Sequence, residues 1–193
     1  LEQAKVLREE ILQIHKTSNC YRLVHGEADG LSGLIIDKFA DVFVIEPYSA
    51  GYIETVDWLA SSLQSLYPGS RIAVRPDERT AAKEGVDFSK IANNYPGPDS
   101  LEIKENFLKM KVNLKTGHKT GFFLDQRENR LTLSEYCHNK EVLDCFCYTG
   151  GFAISAMLAG ARSATGIDLD EDALETAEEN ARLNSVKITF QHV

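Results

Sequence analysis

The sequence predicts an α/β fold, in which a doubly wound parallel sheet is preceded by an antiparallel α+β module. From Val142 onward, strand-like and helix-like segments alternate, as VLDCFC, GFAISAMLAGA, SATGID, EDALETAEENARLN and KITFQHV. Such alternation is typical of parallel sheets with crossover helices. Earlier in the chain, the apolar runs YRLV, LIID and VFVIEP are separated by short turn-rich stretches, which favours an antiparallel meander. We therefore predict two modules, spanning residues 1–117 and 118–193.

The remaining elements of the first module follow from local patterns. Apolar residues at helical spacing predict one helix from Leu1 to Ile14 and another from Ile53 to Leu66. RIAVRP is a short strand candidate, the polar stretch 77–100 ends in a predicted loop, and LEIKENFLKMKVNL alternates as a hairpin does. In the second module, we predict a helix from Gln126 to Tyr136 before the first strand.

Composition narrows the classes of function. The chain has 193 residues and a net charge of −8, with a sequence pI near 5.2. An acidic protein does not grip phosphates over a broad surface, so an RNA substrate has to be argued from other features. No apolar run reaches the roughly 18 residues of a membrane span. The four cysteines form no Cys-x-x-Cys pair, so we expect no metal site and a reduced, cytoplasmic protein.

The clearest candidate site is the glycine pair in DCFCYTGGF. Tyr148 to Gly151 follow a predicted buried strand, at the sheet edge where open α/β folds bind ligands. Glycine lets a ligand approach the backbone, and the next helix offers N–H groups. Asp168 ends the following strand, where a carboxylate can accept hydrogen bonds from both hydroxyls of a ribose. Together these positions predict an adenosine-containing ligand.

S-adenosylmethionine suits this site better than a dinucleotide does. The loop lacks Gly-x-Gly-x-x-Gly, which places a pyrophosphate at a helix start. Asp144, inside the strand, could face a cationic group. An ordinary turn with a helix cap is the alternative, and either Asp168 or Asp170 could be that cap.

Three stretches together resemble one enzyme family. HKTGFFLDQRENR, VLDCFCYTGGFAISAMLAGA and GIDLDEDALETAEENARLN resemble the Rossmann-like, class I S-adenosylmethionine-dependent methyltransferases that modify cytosine C5 in bacterial large-subunit ribosomal RNA. RLVHGEADGLSGLIIDKFADVFVIE resembles the module that precedes their catalytic domain, so the likeness covers most of the chain.

The resemblance implies roles for named residues. The methionine end of the cofactor would be lined by Asp144, Tyr148, Thr149, Gly150 and Gly151. Asp168 would hold the ribose and Leu169 would flank the adenine. The preceding segment would cover the cofactor through Phe123, Asp125, Gln126 and Arg127. For Arg127, a structural ion pair or an RNA contact remains open.

This sequence also departs from the family's pattern. The family begins with an RNA-binding PUA domain and carries an Asp-Pro-Pro-type loop and a catalytic cysteine in its later strands, none of which occurs here. We therefore expect a truncated portion with a partial sheet, no catalytic residue and no activity alone. Cys145 and Cys147 lie two apart in the predicted strand, and we expect both to pack in the core.

The partial sheet and the resemblance also bear on the expected partners of the chain. The bare edge of the partial sheet predicts self-association, contact with another chain or marginal stability. A methyltransferase acting on a non-RNA substrate and a non-catalytic binding module remain alternatives, and an oxidoreductase is the least favoured. Ribosomal RNA is the expected partner of the full-length enzyme, and no membrane is expected.

Overall fold

The chain divides into two compact units. The computed structural model describes residues 1–52, 55–76, 78–85, 87, 89–115 and 120–193. The first unit comprises Leu1–Leu101 and Asn113–Leu124, and the second comprises Glu102–Val112 and Asp125–Val193. Some sequence predictions concern residues outside the described ranges. These are Ile53 of the predicted helix, the predicted module boundary between residues 117 and 118, and His118 and Lys119 of the segment HKTGFFLDQRENR.

A four-stranded sheet forms the centre of the first unit. Its strands, in spatial order, are β1 (Cys20–His25), β2 (Leu34–Phe39), β3 (Val42–Pro47) and β4 (Arg71–Val74). The first three pair antiparallel, which confirms the predicted meander. The fourth pairs parallel to β3 because a helix crosses over between them.

Helices cover one face of this sheet. They are α1 (Glu2–Lys5), which continues as a π-helix from Val6 to Ile11, and α2 (Val56–Leu66). Leu23, Ile36 and Phe43 from the strands pack with Leu59 and Leu63 of α2 in one core. Burial of this apolar face is the main stabilising contribution to the unit.

The polar stretch after β4 is more ordered than its sequence indicates. It contains two short helices, α3 (Glu78–Glu84) and α4 (Ser89–Asn94), before a non-helical segment. Next come β5 (Ser100–Glu105) and β6 (Leu108–Asn113), which pair as a two-stranded sheet. A two-residue connection permits only an antiparallel hairpin, as predicted.

The second unit has the predicted alternation of strands and helices. Its elements are α5 (Arg127–Ser134), β7 (Glu141–Cys145), α6 (Gly151–Leu158), β8 (Ser163–Asp168), α7 (Glu171–Leu183) and β9 (Thr189–His192). The strands pair parallel in the order β7-β8-β9, which confirms the α/β class. Asp170 caps α7, since its Oδ1 accepts a hydrogen bond of 3.0 Å from the Ala173 N–H. That contact decides which of the two aspartates is the cap.

One strand boundary differs from the prediction. β7 ends at Cys145, because Phe146 adopts a positive φ of 62° that breaks the ladder. The two cysteines therefore do not share a strand face: Cys147 is buried and Cys145 is exposed. The expectation that both pack in the core is wrong for Cys145.

Across the described ranges, no helix combines the length and the apolar character needed to cross a bilayer.

Candidate functional site

The glycine loop joins the end of β7 to the start of α6 in the second unit. Phe146, Tyr148 and Gly150 all have positive φ, at 62°, 50° and 83°. Tyrosine and phenylalanine rarely adopt this conformation, so the surrounding contacts must hold the loop in place. The Cys147 N–H donates to the Ile167 carbonyl at 3.0 Å, and the Gly150 N–H donates to the Cys147 carbonyl at 2.8 Å. The loop is thus a tight, internally bonded bend.

Gly150 is required by packing as well as by its backbone angle. A Cβ at this position would lie 3.1 Å from Phe190 Cζ and 3.2 Å from Ala177 Cβ. At Gly151, a Cβ would lie at an ordinary 3.4 Å from Arg130 Cδ. The sequence predicts that the missing side chains let a ligand approach the backbone, whereas in the structure both glycines turn that side toward the protein's own atoms.

Asp168 connects the end of β8 to the glycine loop. Its Oδ2 accepts a hydrogen bond of 2.7 Å from the Tyr148 N–H, and its Oδ1 accepts one of 3.0 Å from the Asp170 N–H. Each carboxylate oxygen has two lone pairs, so the group retains acceptor capacity for ligand hydroxyls. The predicted loop and the predicted acid are therefore in direct contact.

Asp144 lies near the end of β7, just before the loop, and Asp168 ends the neighbouring strand β8. Its Oδ2 accepts a hydrogen bond of 3.0 Å from the Ala153 N–H in the first turn of α6. Burial raises the pKa of Asp144 to about 6, the Ala153 hydrogen bond opposes that rise, and the nearby Asp168 carboxylate adds to it. A cation beside Asp144 would offset the cost of ionising this buried carboxyl.

The other predicted residues occupy different surroundings. Thr149 is buried, Tyr148 is partly buried, and Leu169 is 70% exposed directly after Asp168. Asp125 and Gln126 immediately precede α5, and Gln126 Oε1 accepts a hydrogen bond from Asn129 at 2.8 Å.

Arg127 and Phe123 are the two other residues of the segment 118–130 for which the resemblance implies a cofactor contact. Arg127 pairs with its neighbour Glu128, with Nε and Nη2 each 2.8 Å from Oε1, which is the ion pair that the sequence left open. Phe123 belongs to the first compact unit, and its contact with a cofactor stays a prediction.

Asn180 supports the loop and was missed by the sequence argument. This fully buried side chain of α7 donates from Nδ2 to the Thr149 carbonyl at 3.2 Å, and its Oδ1 accepts from the Lys111 N–H at 2.7 Å. The available signal was a polar residue on the buried stripe of α7, next to Ala177 and Ala181.

A buried ion pair lies behind the same loop. Arg130 of α5 donates from Nε and Nη2 to the two carboxylate oxygens of Glu105, at 2.6 and 2.8 Å. The two side chains are 5% and 2% exposed. Because Arg130 also contacts the Gly151 position, this pair helps to set the spacing between α5 and the start of α6. Nothing in the local sequence around Glu105 indicated such a partner.

Cys147 is unsuited to nucleophilic chemistry. Burial first, and then the carboxylates of Asp144 and Asp168, raise the pKa of its thiol to about 12. A Cβ on Gly166 would lie only 2.9 Å from the Cys147 sulfur, so the sulfur packs tightly against β8. Its role is packing, as the sequence argument expected.

Comparison with known proteins identifies a matching family and similar chains. The family model of the S-adenosylmethionine-dependent methyltransferases matches residues 92–191. Ribosomal RNA large subunit methyltransferase I of Cronobacter sakazakii is 42% identical over 171 residues, which cover 88% of this chain and 43% of that protein. The protein of the same name from Escherichia coli is 40% identical over 191 residues, covering 98% and 48%. The chain thus spans about half the length of the curated relatives it matches.

Solved structures share the fold at low sequence identity. A structure from Streptococcus mutans named as an S-adenosylmethionine-dependent methyltransferase has a TM-score of 0.80 at 22% identity, covering 99% of this chain and 50% of that one. A methyltransferase structure solved in complex with S-adenosylhomocysteine also has a TM-score of 0.80, at 23% identity, covering 100% and 50%. These likenesses support the Rossmann-like fold class.

Proposed function

This chain belongs to the S-adenosylmethionine-dependent methyltransferases, and we propose that its second unit binds the cofactor at the carboxyl ends of β7 and β8. One observation carries the proposal: the Asp168 carboxylate bonds directly to the Tyr148 N–H, at 2.7 Å. This contact joins the ribose-binding candidate to the loop that would hold the methionine end.

The donor set fits the cofactor's chemistry. Asp168 retains acceptor capacity for the two ribose hydroxyls, and the exposed Leu169 beside it offers an apolar surface to the adenine. Asp144 is a buried carboxyl whose raised pKa a ligand cation would lower. Tyr148, Thr149, Gly150 and Gly151 supply the backbone of the binding loop, and we propose Asp125, Gln126 and Arg127, at the start of α5, as further cofactor contacts.

When bound, the cofactor supplies an electrophilic methyl group on a sulfonium. The chain's own residues bind and orient it: Asp168 fixes the ribose, and Asp144 faces the cationic end. Asn180 holds the Thr149 carbonyl, and thereby the loop, in one conformation. Pre-organisation of this kind reduces the entropy lost on binding.

We further propose that the substrate is large-subunit ribosomal RNA, with cytosine C5 as the methylated position. The support is the identity of about 40% to proteins named ribosomal RNA large subunit methyltransferase I and the family-like sequence runs. Because C5 of cytosine is a poor nucleophile, methylation there requires a thiolate to add at C6, so that C5 can attack the methyl group. A base then removes the C5 proton, and the thiolate leaves C6 as the C5=C6 double bond forms again.

The isolated 193-residue chain is expected to transfer no methyl group. Cys20, Cys137 and Cys147 are buried, and the pKa of the Cys147 thiol is raised to about 12, so these three cannot readily provide the thiolate; the exposed Cys145 lies in β7 rather than in the loop. Incubation with tritiated S-adenosylmethionine and ribosomal RNA tests this, and label transferred above background would contradict it.

Calorimetric titration with S-adenosylhomocysteine tests the cofactor site. We expect the wild-type chain to bind, and Asp168→Asn to bind at least tenfold more weakly, because the amide cannot accept the same hydrogen bonds at both oxygens. Asp170→Asn is the matched control: it removes the same charge two residues away, and asparagine caps helices as well as aspartate does. Equal affinity of Asp168→Asn and wild type, or no binding by wild type, would overturn the proposal.

A further inference from the structure

The first unit has a pocket that the cofactor site does not use. Its volume is about 420 Å³, within the range of roughly 300–1,000 Å³ that small-molecule sites occupy. Arg22 and His25 from β1 line it together with Glu27, Glu46 and Tyr48. Its polar side chains therefore include hydrogen-bond donors and acceptors in one concave surface.

Glu46 is the most unusual group in this pocket. The residue is 8% exposed, yet within the described part of the chain its carboxyl makes one hydrogen bond, a long one of 3.3 Å from the Tyr48 hydroxyl. Burial, and then the Asp37 carboxylate, raise the pKa of Glu46. Buried carboxyls are usually well hydrogen-bonded, so this one has unused capacity to bond a ligand.

Arg22 is held rigidly at the pocket wall. Its Nε and Nη2 donate to the two oxygens of the fully buried Asp37, at 2.8 and 2.9 Å. The Thr120 hydroxyl donates to Asp37 Oδ2 at 2.6 Å, which fixes that carboxylate in turn. The Arg22 side chain remains 27% exposed, so a pre-oriented guanidinium lines the pocket.

The charges of the lining disfavour an anionic ligand. The positive charge of Arg22 is already balanced by Asp37, and the lining adds the carboxyls of Glu27 and Glu46. Among the lining side chains, a phosphate would find no arginine whose charge is not already balanced by a carboxylate, whereas a neutral, planar group bearing both donors and acceptors would match the lining. Nucleobase edges have these properties, and exposed bases of RNA are recognised by aromatic stacking and edge hydrogen bonds.

We propose that this pocket binds a nucleobase of single-stranded RNA, with Glu46 and Arg22 contacting the base edge and the 42%-exposed Tyr48 stacking on its face. The proposal rests on the proposed RNA substrate and deepens it, since it assigns a base-reading site to the first unit. An extruded base here would hold the substrate strand by shape and hydrogen bonding, in keeping with the acidic charge of the whole chain.

Fluorescence anisotropy with 5′-labelled hexamers of rC, rU and rA tests this pocket. We expect the wild-type chain to bind one hexamer better than the others. Glu46→Gln, which keeps the side-chain shape, and Tyr48→Ala should each weaken that binding at least fivefold, and Glu46→Gln should reduce the preference among bases. Trp58→Ala is the control, because Trp58 is 65% exposed on α2 of the same unit and does not line this pocket.

The outcomes separate the possible failures. Unchanged RNA binding in Glu46→Gln and Tyr48→Ala, an equal loss in Trp58→Ala, or no RNA binding by wild type would each overturn the inference. If free cytidine, uridine or adenosine displaced the labelled hexamer as strongly as unlabelled hexamers do, the pocket would be a nucleoside site. That result would also overturn the inference. S-adenosylhomocysteine binding, measured on the same samples, reports separately on the proposed cofactor site.

Discussion

At the scale of single residues, Gly150 of the glycine loop is constrained both by its backbone angle and by the packing around it. Gly150 has a φ of 83°, and a Cβ at this position would lie close to Phe190 and Ala177. Asp168 accepts a hydrogen bond from the Tyr148 N–H in the loop, and Asp144 accepts one from the Ala153 N–H in the first turn of α6. The backbone angle, the packing and the two carboxylates are therefore coupled, and a change in one should affect the others.

Gly150→Ala should destabilise the second unit by about 2–4 kcal/mol. Roughly 1–2 kcal/mol comes from placing an L-residue at positive φ, and the rest comes from overpacking against Phe190 and Ala177. Gly69→Ala is the matched control: its φ is also 83°, but a Cβ there meets nothing within 4 Å, so only the backbone cost of about 1–2 kcal/mol is expected. Urea denaturation measures both, and equal losses would show that packing at Gly150 contributes nothing.

Cofactor binding should depend on pH through Asp144. Its pKa is raised from 3.8 to about 6 in the folded protein, and a bound cation favours the ionised form. S-adenosylhomocysteine has no sulfonium, so its ammonium group is the cation that Asp144 would face. Its affinity should therefore decrease as the pH is lowered from 7 to 5, by at most about tenfold per pH unit. Asp144→Asn should bind more weakly at pH 7 and lose this slope. A flat wild-type profile in calorimetry would exclude Asp144 from the cationic end of the site.

The same carboxyl should affect stability with the opposite dependence on pH. Because its folded pKa is raised, the folded state holds the proton more tightly between pH 3.8 and about 6. The free energy of unfolding contributed by this group therefore falls as pH rises through that window. Asp144→Asn should remove this contribution in urea titrations of the unliganded chain, and an unchanged difference between pH 4 and pH 6 would contradict it.

At the scale of elements, α7 acts as a partner for the backbone of β6. Asn184 accepts from the Lys109 N–H at 3.0 Å and donates to the Lys109 carbonyl at 2.6 Å. One turn earlier, Asn180 bonds the Lys111 N–H and carbonyl in the same manner and also reaches Thr149. Two side-chain amides, four residues apart on α7, thus bond the backbone N–H and C=O groups of alternate residues of β6. In a larger sheet, a neighbouring strand would make these bonds.

The two asparagines should differ in their effect on the cofactor site. Asn180→Ala should cost about 2–3 kcal/mol, because the buried Thr149 carbonyl and the partly buried Lys111 N–H lose their partner. It should also weaken S-adenosylhomocysteine binding at least fivefold by releasing Thr149. Asn184→Ala removes the equivalent strand contact at a partly exposed position, so we expect a smaller loss of stability and unchanged affinity. Equal affinity of the two variants would assign Asn180 a purely structural role.

At the scale of the whole molecule, the second unit presents apolar surface along β7. This strand is at the edge of the three-stranded sheet, and Leu143 and Phe146 are 62% and 80% exposed. An apolar strand at the edge of a sheet favours association with another chain. The net charge of −8 opposes close approach of copies, and salt screens that repulsion.

Self-association should therefore increase with protein concentration and with salt. Sedimentation velocity is expected to show oligomers at high concentration, and Leu143→Lys should shift the distribution toward monomer. Trp58→Lys places the same charge at a comparably exposed apolar residue of the first unit and should leave the distribution unchanged. A monomer at all concentrations, or equal effects of the two variants, would contradict association through β7.

The sequence by itself determined the α/β class, the meander, the hairpin and the family, because these follow from local periodicity and from runs of matching residues. It also indicated that the glycine loop and Asp168 belong together, since parallel strands end at the same edge of a sheet. Only the tertiary structure decided that Gly150 packs against Phe190, that Cys145 is exposed, and that Asn180 holds the loop. These depend on a single positive φ and on contacts between residues up to tens of positions apart, which no local pattern encodes.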